Sequence, residues 1–143
     1  WDDILYQAGE LKVIAYKNGT KWAEETIRTT GKPAALQMKA DRSKIAADGN
    51  DLSFITVSVH DENGLAVPDA SSEINLEIEG PGEIIATDNG DPADLTPFVF
   101  KQRKLYAGLL LVIVKAKTGK SGTLVLKATT PGVKPVNLVI QSE

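Results

Sequence analysis

Apolar and polar residues alternate along most of this chain with a period of two. In Ser53 to Asp61, Ile55, Val57 and Val59 alternate with Thr56, Ser58 and His60; in Glu73 to Glu79, Ile74, Leu76 and Ile78 alternate with Asn75 and Glu77. Leu124, Leu126 and Ala128 alternate with Val125, Lys127 and Thr129, and Val136, Leu138 and Ile140 close the chain. Such a period sets one face of an extended strand in a core and the other in solvent. Leu109 to Val114 departs from it as six consecutive aliphatic residues, which predicts a strand covered on both faces. The expected core is Ile55, Val57, Ile74, Leu76, Leu111, Ile113, Leu124 and Leu126.

Turn residues separate these runs: Asn18-Gly19, Asp48-Gly49, Asn63-Gly64, Gly80-Pro81-Gly82, Asn89-Gly90, Gly119 to Gly122 (read as a hairpin turn) and Pro131-Gly132. Ala34 to Ala47 offers the one helical alternative, and Pro33 and Gly49 bracket it too tightly for a long helix. About seven strands after Pro33 predict an all-β fold, an immunoglobulin-like Greek-key β-sandwich. The first 32 residues stand apart. Leu11 to Lys17 and Trp22 to Thr29 flank Lys17-Asn18-Gly19-Thr20, a hairpin signal, and Thr29 to Pro33 reads as a linker. The expected organisation is residues 1–32 as a hairpin plus linker and residues 33–143 as the sandwich. Both hairpin faces carry apolar residues, Leu11, Val13 and Ala15 on one and Ile14 and Tyr16 on the other. A lone hairpin is marginal in water, so this one should lean on the sandwich or on a second molecule. Trp22 is expected to pack the hairpin.

Composition narrows the function. A net charge of −3 in 143 residues gives no reason to expect nucleic acid as a partner. The six-residue aliphatic run is far short of the roughly 20 a membrane helix needs, so no membrane insertion is expected. The chain has no cysteine, which excludes disulfides, thiolate catalysis and zinc–sulfur sites. It opens at Trp1 without a start methionine or signal peptide and is expected to be a piece of a longer polypeptide. Charge is segregated: Ile45 to Phe100 holds 12 acidic residues and no Lys or Arg, and Lys101 to Glu143 holds eight basic residues against one acid. Outward-facing charges on neighbouring ladders predict cross-strand pairing.

Little of this reads as catalysis. His60, the single histidine, falls on the solvent face of its strand, and no G-x-S-x-G elbow exists. Gly119-Lys120-Ser121-Gly122 lacks the frame of a phosphate loop. Asp88-Asn89-Gly90-Asp91, with Asp94 close by, has oxygens that could hold Ca²⁺, but the distal glutamate of an EF-hand is missing and tight turns select the same residues. Glu73, Glu77 and Glu79 alternate with core residues rather than converging as paired glycosidase acids. Aromatic residues for stacking on sugars are few. No catalytic, metal or cofactor-binding residue is assigned, and no cofactor is expected.

Several stretches together resemble a known family. They are Gly9 to Gly19 (GELKVIAYKNG), Arg28 to Ala34 (RTTGKPA), Asp41 to Leu52 (DRSKIAADGNDL), Asp88 to Pro92 (DNGDP) and Arg103 to Gly108 (RKLYAG). The pattern resembles the C-terminal accessory region of bacterial family 2 glycoside hydrolases, the β-galactosidase-like enzymes of Bacteroidetes. The resemblance implies a parent whose catalytic glutamates lie on an upstream barrel. One of those follows an asparagine, and this chain has no Asn-Glu pair, so no catalytic residue is carried over. It further implies that residues 1–32 are the last two strands of a preceding Ig-like domain, that the upstream domains of the glycosidase are partners, and that the location is periplasmic or secreted. Asp61 to Pro68 (DENGLAVP) also resembles a turn of invasin-type adhesin modules, which leaves a stalk role as the alternative.

Overall fold

The computed structural model describes residues 3 and 5–143, and among them every regular element is a strand. The chain divides into two compact units, the first ending at Thr30 and the second running from Gly31 to Glu143.

The first unit is an antiparallel hairpin of β1 (Glu10–Lys17) and β2 (Thr20–Arg28), turned at Asn18-Gly19 with both residues at positive φ. A positive φ at both central positions is what a tight hairpin turn demands, and Asn and Gly tolerate it. Its two faces differ more than their apolar content suggests. Pairing sets Leu11 against Ile27, Val13 against Glu25 and Ala15 against Ala23 on one face. On the other, Glu10 bonds Arg28 at 2.8 Å and Lys12 bonds Glu24 at 2.9 Å, with Ile14 and Tyr16 beside them. Trp22 is not packing for the hairpin: it sits where the register shifts, largely exposed, with the Lys17 ammonium 5.9 Å from its ring.

The second unit is the sandwich. Seven strands have six residues or more: β3 (Ala35–Ala40), β5 (Leu52–His60), β6 (Glu73–Glu79), β7 (Gly82–Asp88), β9 (Leu109–Ala116), β10 (Gly122–Thr130) and β11 (Val133–Ser142). Two short ones, β4 (Lys44–Ile45) and β8 (Gln102–Lys104), complete it. One sheet runs β7-β9-β5-β3 and the other β11-β10-β6-β8, with β4 parallel to β11. The sheets are joined strand to strand along one side, where β3 pairs with β11 at Ala35 and Lys134. Gly119 to Gly122 is therefore not a hairpin turn, since β9 and β10 belong to different sheets and the segment crosses between them. Gly80-Pro81 makes a similar crossing from β6 to β7. Gly108 must be glycine: its φ is +74°, and a Cβ there would collide with the Val67 carbonyl.

The interior is aliphatic. Ile55, Val57 and Val59 on β5, Ile74 and Leu76 on β6, and Leu124 and Leu126 on β10 are all buried, as the alternation requires. On β9 the expected register is wrong. Leu110, Val112 and Val114 point inward, whereas Leu111 and Ile113 lie half-buried on the outer face. A continuous aliphatic run carries no parity of its own. Parity is set by pairing, here Val57 with Leu110 and Ile55 with Val112. Phe54, opposite Ile113 on the outer face, supplies some of the cover.

The segregated charges do meet across strands: Lys115 bonds Glu83 at 3.3 Å and Lys127 bonds Glu77 at 3.5 Å. Exposed pairs of this kind contribute little to stability. Leu126→Ala should cost ~2–5 kcal/mol in urea unfolding, as for other buried leucines. Ile113→Ala should cost about 1 kcal/mol, because its outer face is already partly wet; equal losses at the two positions would contradict this register.

Candidate functional site

Opposite the joined side, β7 and β8 end the two sheets without bonding to each other. The segment from Asn89 to Lys101 crosses this gap, and one side chain holds it. Arg103, at the centre of β8 and across from Ile74, points inward while Gln102 and Lys104 face solvent. Its side chain is 1% exposed. Nε donates to the Thr87 hydroxyl at 3.1 Å, Nη1 to Asp94 Oδ2 at 2.7 Å, and Nη2 to the carbonyls of Thr96 at 2.6 Å and Pro97 at 3.1 Å. The Phe98 ring lies 5.8 Å from the guanidinium carbon. Thr87, on β7, accepts from Arg103 while its own hydroxyl donates to the Phe100 carbonyl at 2.7 Å and its amide donates to Phe98 O at 2.6 Å.

The oxygen-rich stretch beside it is a run of turns. Asp88, Asn89, Asp91 and Asp94 each accept the amide two residues further on, from Gly90, Asp91, Ala93 and Thr96. This is the local bond that makes Asp and Asn turn formers. Asn89 Nδ2 ties the run to Asp94 and to the Lys104 carbonyl, both at 3.0 Å. The oxygens thus face backbone amides and Arg103 rather than a common centre, and among the described residues no three acidic or histidine side chains are placed to share a metal ion. The Thr96 hydroxyl and amide, with the Arg103 guanidinium, hold the Asp94 carboxyl down to about 2 against the opposing effect of desolvation.

His60 is on the outer face of β5. Its Nδ1 lies 3.0 Å from the Gly64 carbonyl and its Nε2 2.9 Å from the Ser58 hydroxyl. A carbonyl only accepts, so in the neutral tautomer that fits this geometry Nδ1–H donates to Gly64 and Nε2 accepts a hydrogen bond from the Ser58 hydroxyl. Asp61 does not complete a triad. Its buried carboxylate accepts amides from Gly31 at 2.8 Å, Asn63 at 2.9 Å and Leu65 at 2.8 Å, which lower its pKa, the Gly31 bond most. Glu73 bonds Gln102 at 2.7 Å and Glu77 bonds Lys127, both on an open sheet face. The residue that sequence reasoning missed is Arg103. One signal was present: it is the single arginine among the eight basic residues after Phe100. Arginine, rather than lysine, suits a buried site with several acceptors.

Fold and site define an immunoglobulin-like β-sandwich module whose open side is closed by a buried arginine. Residues 36–139 match the family described as glycoside hydrolase family 2 C-terminal domain 5, and the chain belongs to that family. It is 40% identical over 140 residues to β-galactosidase BoGH2A of Bacteroides ovatus, a match that covers 98% of this chain and 16% of that protein. It is 28% identical over 144 residues to a β-glucuronidase of Formosa agariphila, covering 99% of this chain and 14% of that protein. Among solved structures, a glycosyl hydrolase family 2 member from Bacteroides cellulosilyticus superposes with a TM-score of 0.93 at 30% identity, over 98% of this chain and 18% of that one. The chain thus spans about a sixth of the length of the relatives it matches. A C-terminal fragment of intimin superposes with a TM-score of 0.53 at 16% identity over 76% of this chain and 33% of that one, a likeness of fold alone.

Asp94 makes the site sensitive to acid. Its folded pKa of about 2 lies below the ordinary carboxyl value, so its contribution is complete above that ordinary value and is lost as pH falls through about 2. Asp94→Asn should lower the urea midpoint at neutral pH, and the gap from wild type should narrow as pH drops from about 4 to about 2. A gap independent of pH would show that the carboxylate charge is not what holds the loop.

Proposed function

We propose that this chain is a non-catalytic accessory module of a family 2 glycoside hydrolase with β-galactosidase-like activity. Its role is to brace the catalytic barrel, support a subunit interface or shape substrate access. The observation that carries this reading is proportion. A β-galactosidase 40% identical to the chain contains it almost whole, yet the match takes up 16% of that enzyme's length. Several acids support it: Asp88, Asp91 and Asp94 are committed to turns, Asp94 also to Arg103, and Glu77 and Glu83 to lysines on neighbouring strands. A periplasmic or secreted location belongs to the same proposal.

Residues 1–32 fit the same frame as the final two strands of a preceding Ig-like domain. The hairpin carries one mainly apolar face, with Leu11, Val13, Ala15, Ala23 and Ile27 beside Glu25, and one face on which ion pairs lie beside Ile14 and Tyr16. A strand pair with this division is one layer of a sandwich, its apolar face suited to a second sheet.

Two measurements test these readings. The purified chain should hydrolyse no chromogenic β-galactoside or β-glucuronide above the uncatalysed rate; turnover that disappears on mutation of one of its glutamates would overturn the non-catalytic assignment. Residues 33–143 alone should unfold cooperatively with a urea midpoint close to that of the whole chain. Loss of folding on deletion of residues 1–32 would place the hairpin in the sandwich's own core.

A further inference from the structure

The loop held by Arg103 presents an apolar tip. Leu95, Phe98, Val99 and Phe100 are 93%, 60%, 69% and 52% exposed, the densest run of exposed large hydrophobic residues in the sandwich unit. An apolar loop tip that is free to move could turn inward, and this one is prevented from doing so. The backbone carbonyls of Thr96, Pro97, Phe98 and Phe100 are all bonded to Arg103 or Thr87, and Asp94 anchors the start of the tip. Phe98 rests one face against the guanidinium. Burying that guanidinium is expensive unless its hydrogen bonds are satisfied. What the arrangement achieves is a single loop shape with its hydrophobic side chains turned outward, and contact residues fixed beforehand lose less freedom on binding.

From this we infer that residues 95–100 are a docking surface for another domain of the same polypeptide. This rests on the reading that the chain is one module of a larger glycosidase. The size of the patch selects the occupant. At these exposures the four residues present on the order of 500 Å², within the range of a functional patch on a single protein. That is still below the roughly 800 Å² per partner buried in stable association of free proteins, which favours a tethered partner over a second copy of the chain. A domain tethered in the same chain meets the patch at an effective concentration of about millimolar, where so small a contact suffices. The match to relatives about six times longer supplies such a domain. In sequence the patch lies between Asp88 and Asp91 on one side and Lys101 and Lys104 on the other.

The chain lacks cysteine, so a single introduced thiol reports on the patch. Val99→Cys is labelled with a maleimide in the isolated chain and in the whole polypeptide, and modification at that position is followed by mass spectrometry. Glu77→Cys, on the open face of β6, is the control. We expect Val99→Cys to react about tenfold more slowly in the whole polypeptide, with Glu77→Cys unchanged. Equal rates for Val99→Cys in the two lengths would overturn the proposal. So would a rate in the isolated chain that falls with chain concentration, which would assign the patch to self-association. A whole polypeptide that hydrolyses neither β-galactoside nor β-glucuronide would count against the glycosidase reading alone, because the labelling compares two lengths of one protein whatever it catalyses.

Discussion

Where β7 and β8 end the two sheets, no ladder joins them, and the Arg103 guanidinium fills the gap. A two-sheet sandwich that is closed by hydrogen bonds along one side needs another means of closing the other. An aliphatic plug would exclude water there but would leave the crossing segment free to choose its path. A guanidinium with a carboxylate, a hydroxyl and two carbonyls around it admits one path, because each unmet bond at a buried charge is costly. Whether this adds net stability is secondary, since apolar replacements of buried ion pairs are often as stable. Its consequence is conformational: the path of the loop from Asp94 to Pro97 is bonded to one side chain, while Thr87, placed by the β7–β9 ladder, holds the carbonyls of Phe98 and Phe100.

The titratable groups follow the same economy of role. Asp61 organises the turn after β5 by collecting three amides, Asp94 anchors the crossing loop, and Glu77 and Glu83 meet lysines on neighbouring strands. The amides around Asp61, and Thr96 with Arg103 around Asp94, lower the pKa of these two carboxyls. A glycosidase acid must instead hold its proton near neutral pH through burial or a neighbouring carboxylate. The depressed pKa of Asp94 therefore points to structure rather than to acid catalysis.

Membership in the family 2 C-terminal domain joins these features to a larger architecture. On the proposal that a neighbouring domain is tethered beside it, a module gains from surface features fixed in advance. A preset apolar tip on one edge and an amphipathic hairpin preceding the sandwich are two features of this kind.

The sequence by itself determined the strand content, the places of most turns and the inward residues of β5, β6 and β10, because period-two alternation and turn chemistry act over a few residues. It also carried the family, through stretches spread along the chain. The parity of β9 was undetermined, since six aliphatic residues read the same in either register until Val57 and Ile55 choose their partners. The crossing at Gly119 to Gly122 was mistaken for a hairpin for a similar reason: a turn signal states that the chain bends and not which sheet it enters. Arg103 lay in a polar stretch with nothing local to mark it as buried. Its partners come from β7 and from the loop before it, between six and sixteen residues away, and only the packing of two sheets brings them together.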